Sequence, residues 1–142
     1  MEQLITFMSS HALLSGIWIG LVLLITFMTI KIKLSPIKQL SPQELTFIVN
    51  RENGVVVDIR PDKDFKASNI VDSVHFAFEK VAKNDFVSLE KYKDRPIIVV
   101  CAAGLTAGRA ASALMKSGFG QVSVLKGGLN AWVGAGLPLA KK

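Results

Sequence analysis

Between Glu2 and Lys31 the chain has no Asp, Glu, Lys or Arg. Over all 142 residues it has one cysteine, Cys101, and two histidines, His11 and His75. A lone cysteine excludes an internal disulfide and a cysteine-based metal cluster, and it suits a reducing compartment. The two histidines fit no ligand spacing, so no metal is expected. His11 reads as a polar residue at the edge of the apolar segment, and His75 as a solvated residue alternating with apolar neighbours. The net charge is +6, yet no basic run is interleaved with aromatics. Nucleic acid is therefore not an expected partner. No internal repeat or low-complexity segment stands out.

The uncharged stretch is the first positive signal. Ala12–Ile30 (ALLSGIWIGLVLLITFMTI) comes close to the roughly 20 apolar residues that cross a bilayer core. Its Ser and Thr hydroxyls can return to the helix's own carbonyls and so do not spoil a span. A cleaved signal peptide would want a basic start, a shorter apolar core and a small-x-small cleavage site. The start here is acidic, with Glu2, and Met28–Lys33 offers no such site. All 17 Lys and Arg lie at or beyond position 31, with Lys31, Lys33 and Lys38 just past the apolar segment. Positive flanks stay on the cytoplasmic side, which puts the N-terminus outside and the rest of the chain in the cytoplasm. The expected organisation is an anchor over 1–30, a basic linker over 31–36 and one domain over 37–142. A basic domain also suits anionic lipid headgroups. Ser15-Gly16 and Gly20 would allow another membrane helix to approach, or simply face lipid.

Beyond the linker, strand and helix signals alternate. Ile37–Leu40 is extended. Ser41-Pro42-Gln43-Glu44 marks a helix start, with Ser41 as cap, Pro42 at the first helical position and Glu44 completing a capping box. That helix runs to about Asn50 and ends near Asn53-Gly54. Val55–Ile59 is an apolar run expected of a strand buried on both faces. Pro61–Ala67 is helix-like, and Ser73–Phe76 is extended. Residues 77–95 hold one or two short helices, with Val81, Phe86 and Leu89 as core contacts. Pro96–Cys101 is the next buried strand, 102–106 a loop, and Ala107–Lys116 a helix closed by Ser117-Gly118. Val122–Leu125 is a strand, Gly127-Gly128 a sharp break, and a last helix carries Trp132 as a core plug before Gly136-Leu137-Pro138. This alternation implies a parallel sheet with helices on both faces.

Ligands gather outside the carboxyl ends of the strands of such a sheet. Cys101 stands at such an end and at the threshold of a helix. The loop after it, Ala102-Ala103-Gly104-Leu105-Thr106, is small enough to curl its N–H groups inward as an anion cradle. Inward amides and the helix dipole both favour thiolate over thiol. A buried structural cysteine closing a core strand fits the same position equally well.

Resemblance adds to this reading. Val56-Val57-Asp58-Ile59-Arg60 resembles the V-D-V-R strand end of the rhodanese family, and Asp64-Phe65 stands where an acid and an aromatic usually follow. Asn69–Val74 fills the place of the family's G-H-I-P-G-A segment with weak identity. Ile97–Cys101 followed by Gly104 fits the strand leading to C-x-x-G, and Val124–Trp132 resembles V-L-x-G-G-x-x-x-W closely. Residues 37–139 are therefore identified as rhodanese-like, which implies an α/β fold with a five-stranded parallel sheet flanked by helices. With the apolar segment ahead of it, the chain is most like the YibN-type group of inner-membrane rhodanese-like proteins. The resemblance implies Cys101 as sulfur acceptor, with a persulfide cradled by the amides of Ala102, Ala103, Gly104, Leu105 and Thr106. It implies no cofactor, and a small sulfur donor with cyanide or a thiol acceptor as partners.

One position departs from the pattern. Active rhodaneses commonly carry C-x-x-G-x-R-S, and here Thr106 holds the arginine's place. The next basic residue is Arg109, one turn into the helix, which either reaches the loop or is solvated. A phosphatase of related architecture needs C-x5-R, and position 107 is alanine, so that chemistry is excluded. Asp58 and Arg60 either brace the strand end as a pair, or Arg60 faces the site; the family pattern favours the brace. Two functions remain open. One is a membrane-tethered sulfurtransferase, and the other a catalytically weak or inactive binding module that holds partner proteins, possible membrane proteins among them, at the membrane.

Overall fold

The computed structural model describes residues 1–33 and 37–141. It divides into two compact units, residues 1–36 and 37–142. In the first unit, α1 (Glu2–Ser10) and α2 (Ala12–Lys33) flank His11, whose backbone (φ −128°, ψ 48°) leaves the helical region. No local signal in the sequence separates α1 from α2. Its hydroxyls turn back on its own backbone, Thr6 to the Glu2 carbonyl at 2.8 Å and Ser10 to that of Thr6 at 2.6 Å. Thr26 and Thr29 of α2 do the same with Val22 and Ile25, both at 2.7 Å. These bonds remove the polar cost of hydroxyls in an apolar helix. Ala12–Lys31 is long and apolar enough to cross a membrane, a test that a signal sequence also passes. The helix continues to Lys33, past the expected start of the linker at residue 31. The rest of that linker, 34–36, lies outside the described residues.

The second unit is a five-stranded sheet in the order β1-β5-β4-β2-β3, formed by β1 (Lys38–Leu40), β2 (Val55–Asp58), β3 (Val74–His75), β4 (Ile97–Val100) and β5 (Val122–Leu125). Every pairing is parallel. The helices are α3 (Pro42–Arg51), α4 (Asp62–Ala67), α5 (Phe78–Ala82), α6 (Ala107–Lys116) and α7 (Gly128–Gly134), with a 3-10 turn over Val87–Tyr92. The capping box at α3 is formed: the Glu44 amide donates to Ser41 Oγ at 3.2 Å, and the Ser41 amide donates to the Glu44 carboxylate at 2.8 Å.

Strand periodicity explains the two cores. Successive side chains point to opposite faces of a sheet. Val55, Val57, Ile97, Val99 and Cys101 accordingly join one cluster with Val81, Phe86, Leu89 and the alanines of α6. Val56, Ile98 and Val100 join the other, with Leu45 of α3 and Leu129 and Trp132 of α7. Residues of β2 and β4 are buried on both faces, as continuous apolar runs require. Trp132 is anchored as well as buried, its indole N–H donating to the Pro138 carbonyl at 3.0 Å.

Candidate active site

Cys101 follows the last residue of β4, and five loop residues separate it from α6. Its side chain leaves the sheet on the α6 side, and the residue is only 4 % exposed. The loop folds back over the sulfur. The Gly104 amide donates to Cys101 Sγ at 2.9 Å. The Thr106 hydroxyl and the Thr106 and Ala107 amides also donate to it. Burial pushes the thiol up, but these four donors outweigh it and hold the pKa below the usual thiol range.

The loop owes its shape to α7. The first amides of a helix have no partner within it. In α7 two of them are used across the gap: Leu129 N–H donates to the Cys101 carbonyl at 2.8 Å and Asn130 N–H to the Ala102 carbonyl at 3.1 Å. With those carbonyls drawn back toward α7, the later peptide units turn their N–H groups to the sulfur. The close approach depends on glycine. A Cβ on Gly128 would collide with the Cys101 carbonyl oxygen and sit 2.7 Å from the Gly104 amide nitrogen, and its φ is +61°. Gly104 itself adopts φ +84°, a region open to glycine at no steric cost.

The structure distributes the residues singled out from sequence unevenly. Gly104 and Thr106 reach the sulfur, whereas the Ala102, Ala103 and Leu105 amides make no hydrogen bond to it among the described residues. The side chains of Ala102, Ala103 and Leu105 are exposed. The Ala107 amide, a donor absent from the sequence reading, comes from the first residue of α6; only the tightness of the turn brings it into range. Thr106 precedes α6 yet makes no side-chain cap, because its hydroxyl is spent on the sulfur.

Asp58 and Arg60 form a brace. Asp58 is 1 % and Arg60 8 % exposed, and the guanidinium meets the carboxylate through Nε at 3.0 Å and a second nitrogen at 2.8 Å. That second nitrogen also donates to the Ser68 carbonyl. The arginine is thus engaged along the β2 end. His75 corrects the expectation of a merely solvated residue: it is half-buried and held by partners. Its Nε2 lies 2.7 Å from the Arg60 carbonyl and its ring stacks on Phe65 with centroids 4.9 Å apart. Arg109 is exposed, and no hydrogen bond or ion pair holds its guanidinium among the described residues.

The family model for the rhodanese-like domain matches residues 41–135. This chain belongs to the rhodanese-like family. It is 38 % identical to the protein YibN of Escherichia coli (strain K12) over 141 residues, 99 % of each chain. It is 33 % identical over 98 residues to the thiosulfate sulfurtransferase GlpE of Pseudoalteromonas translucida, covering 69 % of this chain and 90 % of that one. Among solved structures, the rhodanese-related protein from Thermoplasma volcanium superposes with a TM-score of 0.65 at 20 % identity, covering 74 % of this chain and 99 % of that one. The Alr3790 protein from Anabaena sp. gives a TM-score of 0.63 at 27 % identity, covering 72 % and 80 %. The rhodanese-like sheet and flanking helices match the architecture expected from the sequence.

Proposed function

We propose that the protein is a sulfurtransferase of the rhodanese type, anchored in a bacterial inner membrane by the Ala12–Lys31 helix with its domain in the cytoplasm. The observation that carries this reading is the convergence of the Thr106 hydroxyl and the Gly104, Thr106 and Ala107 amides on Cys101 Sγ. Fixed donors around a sulfur favour the thiolate, which is the nucleophilic form. In the proposed cycle the thiolate attacks the sulfane sulfur of a donor and becomes a persulfide. The Ala102, Ala103 and Leu105 amides remain for the outer sulfur, as preorganised dipoles that need no rearrangement during the step. With one cysteine in the chain, the sulfur passes to an external thiol or to cyanide. Kinship with proteins named thiosulfate sulfurtransferase supports this chemistry. The uncharged apolar helix and the lysines beyond it support the anchor and its orientation.

The absence of an arginine from the loop and the deep setting of Cys101 favour a second reading, a non-catalytic module that holds partner proteins at the membrane. Mass spectrometry of the purified full-length protein after exposure to thiosulfate or an organic persulfide separates the two. The sulfurtransferase reading expects one added sulfur on Cys101, absent from Cys101→Ser. No adduct with any donor, together with partner capture that survives Cys101→Ser, would sink it.

A further inference from the structure

The loop around Cys101 carries no ionisable side chain from Ala102 to Gly108. Neither Arg60 nor Arg109 makes up for this. Arg60 is buried against Asp58 and the Ser68 carbonyl, so its charge is already matched. Arg109 lies on the exposed side of α6, whose buried side is Ala107, Ala110, Ala111 and Leu114. The donors that converge on the sulfur are engaged with Cys101 itself. At the rim, by contrast, Leu105 is 85 % exposed between exposed Ala103 and Thr106. The loop rim therefore carries no charged side chain and one prominent apolar one, Leu105, and the sulfur is recessed behind it.

From this geometry we infer that the site takes its sulfur from a low-charge organic hydropersulfide, R–S–SH, in preference to inorganic thiosulfate, with Leu105 and Thr106 as the residues that set the preference. The inference rests on the sulfurtransferase reading above. A thiosulfate dianion approaching a thiolate needs a compensating cation, and the loop has none where Thr106 stands. A hydropersulfide brings at most one negative charge, and its protonated form, the one the thiolate attacks, brings none. Its terminal sulfur is slender enough for a recessed nucleophile, and its carbon chain gains by covering Leu105. The step balances without an oxidant. The Cys101 thiolate attacks the outer sulfur, an Sγ–S bond forms, and the donor's S–S bond breaks. The electron pair leaves with R–S⁻, which takes a proton from water, and Cys101 is left as the perthiol.

The test uses the full-length protein in detergent micelles, with benzyl hydropersulfide released from a neutral precursor as one donor and thiosulfate as the other. The thiol acceptor is held constant and Cys101 is followed by mass spectrometry. The wild type is expected to favour the hydropersulfide in kcat/KM by about tenfold or more. Thr106→Arg is expected to move the donor ratio toward thiosulfate by about tenfold. Leu105→Gln, at an exposed position that does not threaten folding, is expected to move it the same way by several-fold. A wild type that loads equally well or better from thiosulfate overturns the inference and leaves the sulfurtransferase reading standing. A donor ratio unmoved by both variants also overturns it. Failure of both donors to load Cys101 overturns the two together.

Discussion

Gly128 lies against the backbone of Cys101 so closely that a methyl group would overlap the Cys101 carbonyl oxygen. The family's glycine pair is thus the floor of the Cys101 loop, and α7 reaches the loop from that floor through Leu129 and Asn130. Gly128→Ala must push the loop away and also place alanine at φ +61°. The backbone conformation alone costs about 1–3 kcal/mol. The variant is expected to lose at least that much in urea unfolding and to raise the pH at which Cys101 reacts with iodoacetamide. An unchanged alkylation profile would show that the loop does not rest on Gly128.

Thr106→Val removes a hydroxyl donor from Cys101 and leaves the loop amides in place. The wild-type thiol pKa is held down, so its alkylation rate should level off at lower pH than that of a free cysteine. In Thr106→Val the inflection should move up, toward the ordinary thiol near 8.5. The stability effect has a definite sign. Between the folded and unfolded pKa values the unfolded chain binds more protons at this site, so its contribution to stability rises with pH across that window. It is lost as pH falls through the folded pKa. Urea midpoints of wild type and Thr106→Val should therefore differ more above neutrality than at pH 5.

The Asp58–Arg60 pair is nearly sealed from water. Removing one partner leaves a buried charge unmatched, which typically costs about 3–5 kcal/mol. Asp58→Ala is expected to fall in that range. Asp58→Val combined with Arg60→Met should be less destabilised than the two single changes summed. Additive losses in that cycle would mean the two side chains do not act as a pair.

A charge in the middle of the apolar helix tests the anchor. Leu23→Arg introduces about 2.5–3.5 kcal/mol against insertion on a translocon scale. Carbonate extraction should leave the wild type in the membrane fraction and release a larger share of the variant. Equal partitioning would argue against a span at this helix.

The parts of the fold read most directly from sequence were those set by local rules. Ser41, Pro42 and Glu44 announce α3 because a capping box is complete within four residues. β2 and β4 announce themselves because strands covered on both faces must be apolar throughout. The same logic puts Cys101 at a strand end. What escaped the sequence depends on atoms brought together from a distance. The hydroxyl of Thr106 turns to a sulfur rather than to its own helix, and the Ala107 amide joins it only because Gly104 bends the loop. His75 gave a strand-like alternation, and nothing local reveals that Arg60, fifteen positions earlier, offers it a carbonyl. The short helix α1 has no cap that would mark its break at His11.

The sheet order carries a consequence for the order in which the chain is made. β1 is the first strand to leave the ribosome, and its partner β5 is the last, with Lys38 pairing Ser123. An edge strand made early thus stays unpaired while more than half of the protein is still being translated, and non-local parallel pairing is slow to form. By then the N-terminal apolar helix has already emerged, so any commitment to a membrane precedes completion of the sheet. Nascent chains arrested before residue 122 are expected to be open to protease throughout the domain, and those released complete to resist it. Equal resistance would mean that β1 finds cover without β5.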